Sequence, residues 1–147
     1  MSQAPKKILA VWSYSIYGDD VHAYYAPVIK NIILARQENA MVAISTTTHY
    51  EGKVREFFLQ YLDEIQIVSY ESESLCAYPK ILRFLIPNVL KSNFYFFKDS
   101  DSVVTAKEVR IMQEWMSAAA PIAMFIRDHP LHVAPIMAGM FGISSSV

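Results

Sequence analysis

The sequence predicts an α/β fold: a mostly parallel sheet with helices on both faces, in one domain spanning residues 1–147. Three observations predict it. Short apolar runs alternate with stretches of helical period from the start of the chain. The first two apolar runs begin roughly thirty residues apart, the length of one βαβ unit. The hydrophobic set is 53% of the 147 residues, enough for a real core and too much for a disordered chain.

Taken in order, Lys7 to Ser13 contains the apolar run Ile8-Leu9-Ala10-Val11-Trp12 and predicts a buried strand, closed by turn chemistry at Gly18-Asp19-Asp20. Pro27 suits the first turn of a helix, and Val28, Ile29, Ile32 and Ile33 follow at helical spacing to about Gln37. Ala40 to Ser45 is the second strand. Val54, Phe57, Phe58, Tyr61 and Leu62 share one helical face, and Ile65 to Val68 is a third strand. Tyr78 to Leu90 predicts a helix that Pro87 ends or kinks. The all-aromatic run Phe94-Tyr95-Phe96-Phe97 belongs at the sheet centre. Thr105 and Glu108 have the spacing of a capping box opening a helix to about Ser117, in which Met112, Trp115 and Met116 are core residues. Ile122 to Ile126 is a fifth strand. The tail from His129 to Gly142 has no clean period.

Composition excludes several function classes. With 13 basic against 14 acidic residues, a charge-driven grip on nucleic acid or an anionic membrane is not expected. No apolar run approaches the ~18 residues of a transmembrane segment. The single cysteine, Cys76, allows no internal disulfide and suits a reducing, cytoplasmic compartment, with a structural role. Only four glycines occur, and neither common Gly-rich phosphate cradle is present. Any phosphate chemistry here needs another device.

Ligands of parallel α/β sheets sit at the carboxyl ends of the strands. That directs attention to residues 13–20, 45–50, 69–74, 98–102 and 127–132. Asp99-Ser100-Asp101 follows the aromatic strand directly, and two carboxylates one residue apart suit a hard cation, Mg²⁺ or Mn²⁺, shared with a diphosphate. The same triplet also suits an acidic turn capping backbone amides. Arg127-Asp128-His129-Pro130-Leu131-His132 gathers a cation, a carboxylate and two imidazoles after the fifth strand, where a solvated loop is the alternative. Arg83, in the apolar stretch Ile81-Leu82-Arg83-Phe84-Leu85, either snorkels to the surface or faces the diphosphate. Ser13, Tyr14, Ser15, Tyr17 and Gly18 form either a base- and ribose-binding loop or a Tyr-rich surface turn.

These strings resemble a known family. Ser13-Tyr14-Ser15-Ile16-Tyr17-Gly18, Arg83-Phe84-Leu85, Asp99-Ser100-Asp101-Ser102, Arg127-Asp128-His129-Pro130 and Gly139-Met140-Phe141-Gly142 occur in the order seen in a bacterial and viral group of GT-A-fold nucleotide-sugar glycosyltransferases. More distantly the chain resembles glycogenin-like and lipopolysaccharide galactosyltransferases. Lys98 and Val103 depart from the group's pattern, which has Arg at both places; Ala138 replaces a Gly and Phe141 a Trp.

The resemblance implies a GT-A-like, Rossmann-like domain that moves a sugar from a nucleotide-sugar donor to a glycan or other hydroxyl acceptor, with Mn²⁺ or Mg²⁺. Asp101 and Asp99 would hold the metal, and Asp99 also the ribose. Arg83 would take the diphosphate, and Arg127 and Asp128 the donor sugar. Asp128 and His129 would be the catalytic groups. Ser13, Tyr14, Tyr17, Gly139 and Gly142 would contact the donor. Members of the group continue beyond the equivalent of Val147, so a truncated domain that binds without turnover is one alternative. An exposed patch of Met137, Met140, Phe141 and Ile143 favouring a homo-oligomer is then expected. A haloacid-dehalogenase-type phosphohydrolase is the other, weaker because no Lys follows Lys107.

Overall fold

Among the described residues the apolar runs assemble into six strands of one sheet. The structure, a computed structural model, describes residues 8–118, 122–126 and 140–145. The strands are β1 (Ala10–Ser15), β2 (Ala40–Thr47), β3 (Ile65–Tyr70), β4 (Phe94–Lys98), β5 (Ala123–Phe125) and β6 (Met140–Ser144). Their spatial order is β3-β2-β1-β4-β6-β5. β3, β2, β1 and β4 pair in parallel, and β6 runs antiparallel to both β4 and β5. The sheet is therefore mixed, mostly parallel, and β1 and β4 form its central pair. The aromatic run falls where its hydrophobicity demands.

Among the described residues five α-helices accompany the strands: α1 (Val21–Tyr24), α2 (Ala26–Gln37), α3 (Thr48–Phe57), α4 (Glu73–Cys76) and α5 (Ala106–Ser117). One face of the sheet carries the main core. There Trp12, Tyr14, Ile44 and Phe96 meet Val28 and Ile32 of α2, Val54 of α3, and Met112 and Trp115 of α5. Thr105 and Glu108 close the expected capping box at the start of α5. On the other face Val11, Ala43, Tyr95 and Phe97 pack against Ile86 and Phe84. Cys76 is half-buried, its thiol donating to the Tyr70 carbonyl at 3.1 Å. Among the described residues, no helix is long and apolar enough to cross a membrane.

Two expectations change. The segment 78–90 is not an α-helix; Pro79–Asn88 is a 3₁₀ helix of ten residues. The cause lies in Pro87 and β1. Pro87 has no N–H for the Arg83 carbonyl four residues before it, and the Ser13 hydroxyl donates to that carbonyl instead, at 2.7 Å. The Arg83 N–H, in turn, goes to Ser15 Oγ at 2.9 Å, and Ser15 Oγ donates to the Lys80 carbonyl at 3.1 Å.

The second change is β6, which the aperiodic tail concealed. Gly142 lies opposite Phe96 in the β4–β6 ladder. A Cβ there would stand 2.8 and 2.9 Å from Phe96 ring carbons and 3.0 Å from the Tyr95 carbonyl. Gly142 thus admits a neighbouring aromatic ring mid-sheet, and it does not line the cleft at the carboxyl ends of β1 and β4. β6 is also covered. Phe141 stacks on Phe84 at 5.6 Å and meets Phe97 at 5.1 Å, so the expected bare apolar patch fails at Phe141 and Ile143, both half-buried. Met137 lies outside the described residues.

Candidate functional site

The chain order around β1 places the site. From β1 the chain steps outward to β2 and β3, then returns to β4 on the other side of β1. Such a reversal leaves a crevice outside the carboxyl ends of the two central strands. A cleft of about 280 Å³ lies there. Ser15, Tyr17, Gly18, Asp19, Asp20 and Tyr24 line one side; Lys80, Arg83, Asp99, Ser100 and Asp101 line the other. Two of the sequence's candidate strand-end segments therefore meet in one place.

The β1 side is a shaped turn. Gly18 has φ +82°, a conformation that costs a residue without Cβ little. The Tyr25 hydroxyl donates to the Gly18 carbonyl at 2.8 Å and pins the turn. The Tyr25 ring is buried against Phe57 and Phe58. That burial, with the Asp19 carboxylate and then Tyr50 nearby, pushes the Tyr25 phenol up to about 12. Asp20 caps α1 through the Ala23 N–H.

Arg83 is the centre of the other side. Its backbone N–H and carbonyl are held by Ser15 and Ser13, and the residue as a whole is 4% exposed. Nη1 donates to the Lys98 carbonyl at 2.8 Å and to Asp99 Oδ1 at 2.6 Å. Nε is buried and has no hydrogen-bond partner. Arg83 is therefore not a snorkelling side chain. It lies at the cleft, held on several sides, with its buried Nε unpartnered.

Asp101 is exposed and makes no hydrogen bond or ion pair among the described residues. Asp99 spends one oxygen on Arg83 and is 55% exposed at the side chain. Two carboxylates with open oxygens fit a hard divalent cation, whose remaining positions go to water or phosphate. Among the described residues no third acidic, His or Cys side chain joins them. The cleft's lining carries four carboxylates against two cations. An anionic ligand entering it needs a positive counterion.

Not every candidate reaches the cleft. Ser13 and Tyr14 are fully buried. Ser13 is occupied with the Arg83 carbonyl, and Tyr14 points into the core beneath the sheet, where burial and then the Glu108 carboxylate push its phenol up. Neither lines the cleft: alternation along β1 sends the two side chains to opposite covered faces of the sheet. Tyr17 is half-buried and lines the cleft. Arg127, Asp128, His129 and Gly139 lie outside the described residues.

Sequence reading missed Lys80, Asp19 and Asp20 as cleft residues. Asp19 and Asp20 were in view as turn residues, and Lys80 precedes Arg83 by one 3₁₀ turn, which the α-helical expectation obscured. No protein-family description matches the chain, and no curated protein matches it significantly.

Proposed function

We propose that the cleft between β1 and β4 binds a nucleotide-sugar through its diphosphate. On this reading the chain is a glycosyltransferase of GT-A type, passing the sugar to a hydroxyl acceptor. Arg83 is the observation that carries it. A buried guanidinium with an unpartnered Nε, set beside two carboxylates with open oxygens, is a diphosphate contact waiting at the place where parallel sheets hold ligands. The ordered strings shared with that glycosyltransferase group support the same reading.

The roles follow from the chemistry of each group. Arg83 would donate to a phosphate oxygen while keeping Asp99 in place. Asp99 and Asp101 would hold Mg²⁺ or Mn²⁺, which supplies charge neutralisation on the departing nucleoside diphosphate. Tyr17, at the rim, offers an aromatic face to base or ribose. Asp128 and His129 are the proposed catalytic groups through the resemblance alone.

The test is a thermal-shift screen of nucleoside diphosphates and their sugars, with Mn²⁺ and with chelator. At least one diphosphate raises the melting temperature only when metal is present. Equal shifts with metal and chelator, or none with any nucleotide, overturn the reading.

A further inference from the structure

Two of the cleft's carboxylates, Asp99 and Asp101, stand on the turn between β4 and α5, and side chains packed behind it hold that turn. Asn31, fully buried in α2, reaches it twice. Its Nδ2 donates to the Ser102 carbonyl at 3.0 Å, and its Oδ1 accepts the Val104 N–H at 2.8 Å. A buried ion pair closes the turn's two ends, Lys98 at the end of β4 and Glu108 in the first turn of α5. Glu108 Oε2 also accepts the Thr105 N–H at 2.7 Å.

Nothing in α2 itself calls for asparagine at this position. Asn is an indifferent helix former, and burying its amide costs free energy unless both ends are bonded. Here both ends are bonded, and both to the turn that bears Asp99 and Asp101. Asn31 does not line the cleft. Any influence it has on a ligand passes through the backbone of residues 102–104.

We propose that Asn31 is a positioning residue: by holding Ser102 and Val104 it sets where Asp99 and Asp101 stand, and so sets the affinity of the cleft for a divalent cation. The proposal rests on the cation reading of the cleft given above. Partners that orient metal-binding groups from behind are worth on the order of 10–100-fold in metal affinity. Asn31 acts at one remove, and its loss is expected near the lower end of that range.

The experiment compares Asn31→Ala with Ile32→Ala, a neighbouring core residue of α2 that makes no contact with the turn by hydrogen bond. Mn²⁺ affinity is read from the free-ion EPR signal in the presence of ADP, CDP, GDP and UDP in turn, well below the melting point of each variant. Asn31→Ala weakens Mn²⁺ binding about tenfold, whereas Ile32→Ala loses stability and keeps wild-type affinity. Asn31→Asp keeps an acceptor for Val104, loses the donor to Ser102, and is expected to weaken Mn²⁺ binding as well; it serves if the alanine variant does not fold. Wild-type affinity in the folded Asn31 variants, or an equal loss in Ile32→Ala, overturns the positioning role alone. A wild-type protein that takes up no Mn²⁺ with any diphosphate overturns the cation reading and this inference together.

Discussion

Arg83 Nη1 lies 2.6 Å from Asp99 Oδ1, and the two residues differ sharply in exposure: 5% for the arginine side chain, 55% for the aspartate. The ion pair is thus anchored at one end and open at the other. The buried partner is further fixed by the Lys98 carbonyl and, through its own backbone, by Ser13 and Ser15. An arginine so held is fixed at the cleft. It presents a fixed charge, and the aspartate beside it keeps an oxygen for something else.

Replacing Arg83 by Met keeps much of the buried stem and removes the charge. Asp99 then turns to water on its open side, so stability falls by no more than about 1–2 kcal/mol. On the proposed reading, nucleoside-diphosphate affinity falls by about 1.5–3 kcal/mol, the scale of a hydrogen bond to a charged group. Calorimetric titration beside a denaturation curve separates the two effects. An unchanged dissociation constant in the folded variant assigns Arg83 to structure alone.

Asp101→Asn probes the proposed metal site without disturbing the fold. The carboxylate is exposed and has no partner among the described residues, so unliganded stability should stay within about 0.5 kcal/mol of wild type. The Mn²⁺-dependent part of the nucleotide-induced melting shift disappears. A shift that survives intact excludes Asp101 as a metal ligand.

Gly142→Ala tests why glycine stands in the middle of β6. The added methyl meets the buried Phe96 ring and the Tyr95 carbonyl, neither of which can move freely. Overpacking of this kind costs about 1–3 kcal/mol. Chemical denaturation measures it; a variant as stable as wild type would show that β4 and β6 can separate at no cost.

Tyr25 makes stability depend on alkaline pH. Its phenol is raised to about 12 in the folded protein, against an ordinary value near 10 in the unfolded chain. The folded state therefore holds the proton over a range where the unfolded state releases it. The associated stability is present in full below pH 10 and is lost as the pH climbs from 10 to about 12. Denaturation midpoints across that range should fall less steeply in Tyr25→Phe, which also gives up the bond to Gly18. Parallel slopes in the two proteins would remove Tyr25 from the titration.

The α/β class with a mostly parallel sheet, and five of the six strands among the described residues, were legible because each depends on a local pattern. Apolar runs bounded by turn residues make β1 to β5, the Thr105–Glu108 spacing makes the start of α5, and the position of Asp99-Ser100-Asp101 after an aromatic strand marks a strand end at the sheet centre. β6 was not legible. Its mid-strand glycine weakens the strand signal, and the reason for that glycine is a ring 46 positions earlier in the chain.

The sequence by itself determined the alternation of elements, the chemistry available at the strand ends and the acidic pair on its turn. Only the tertiary structure decided which strand ends share a cleft, that Ser13 and Ser15 serve the backbone around Arg83, that Tyr14 belongs to the core, and that Asn31 holds the turn of the carboxylates. The reason is physical. Periodicity and turn chemistry act over a few neighbouring residues, whereas the bonds Ser13–Arg83, Arg83–Asp99 and Asn31–Val104 exist only once a parallel sheet has brought segments 16 to 73 positions apart to the same edge.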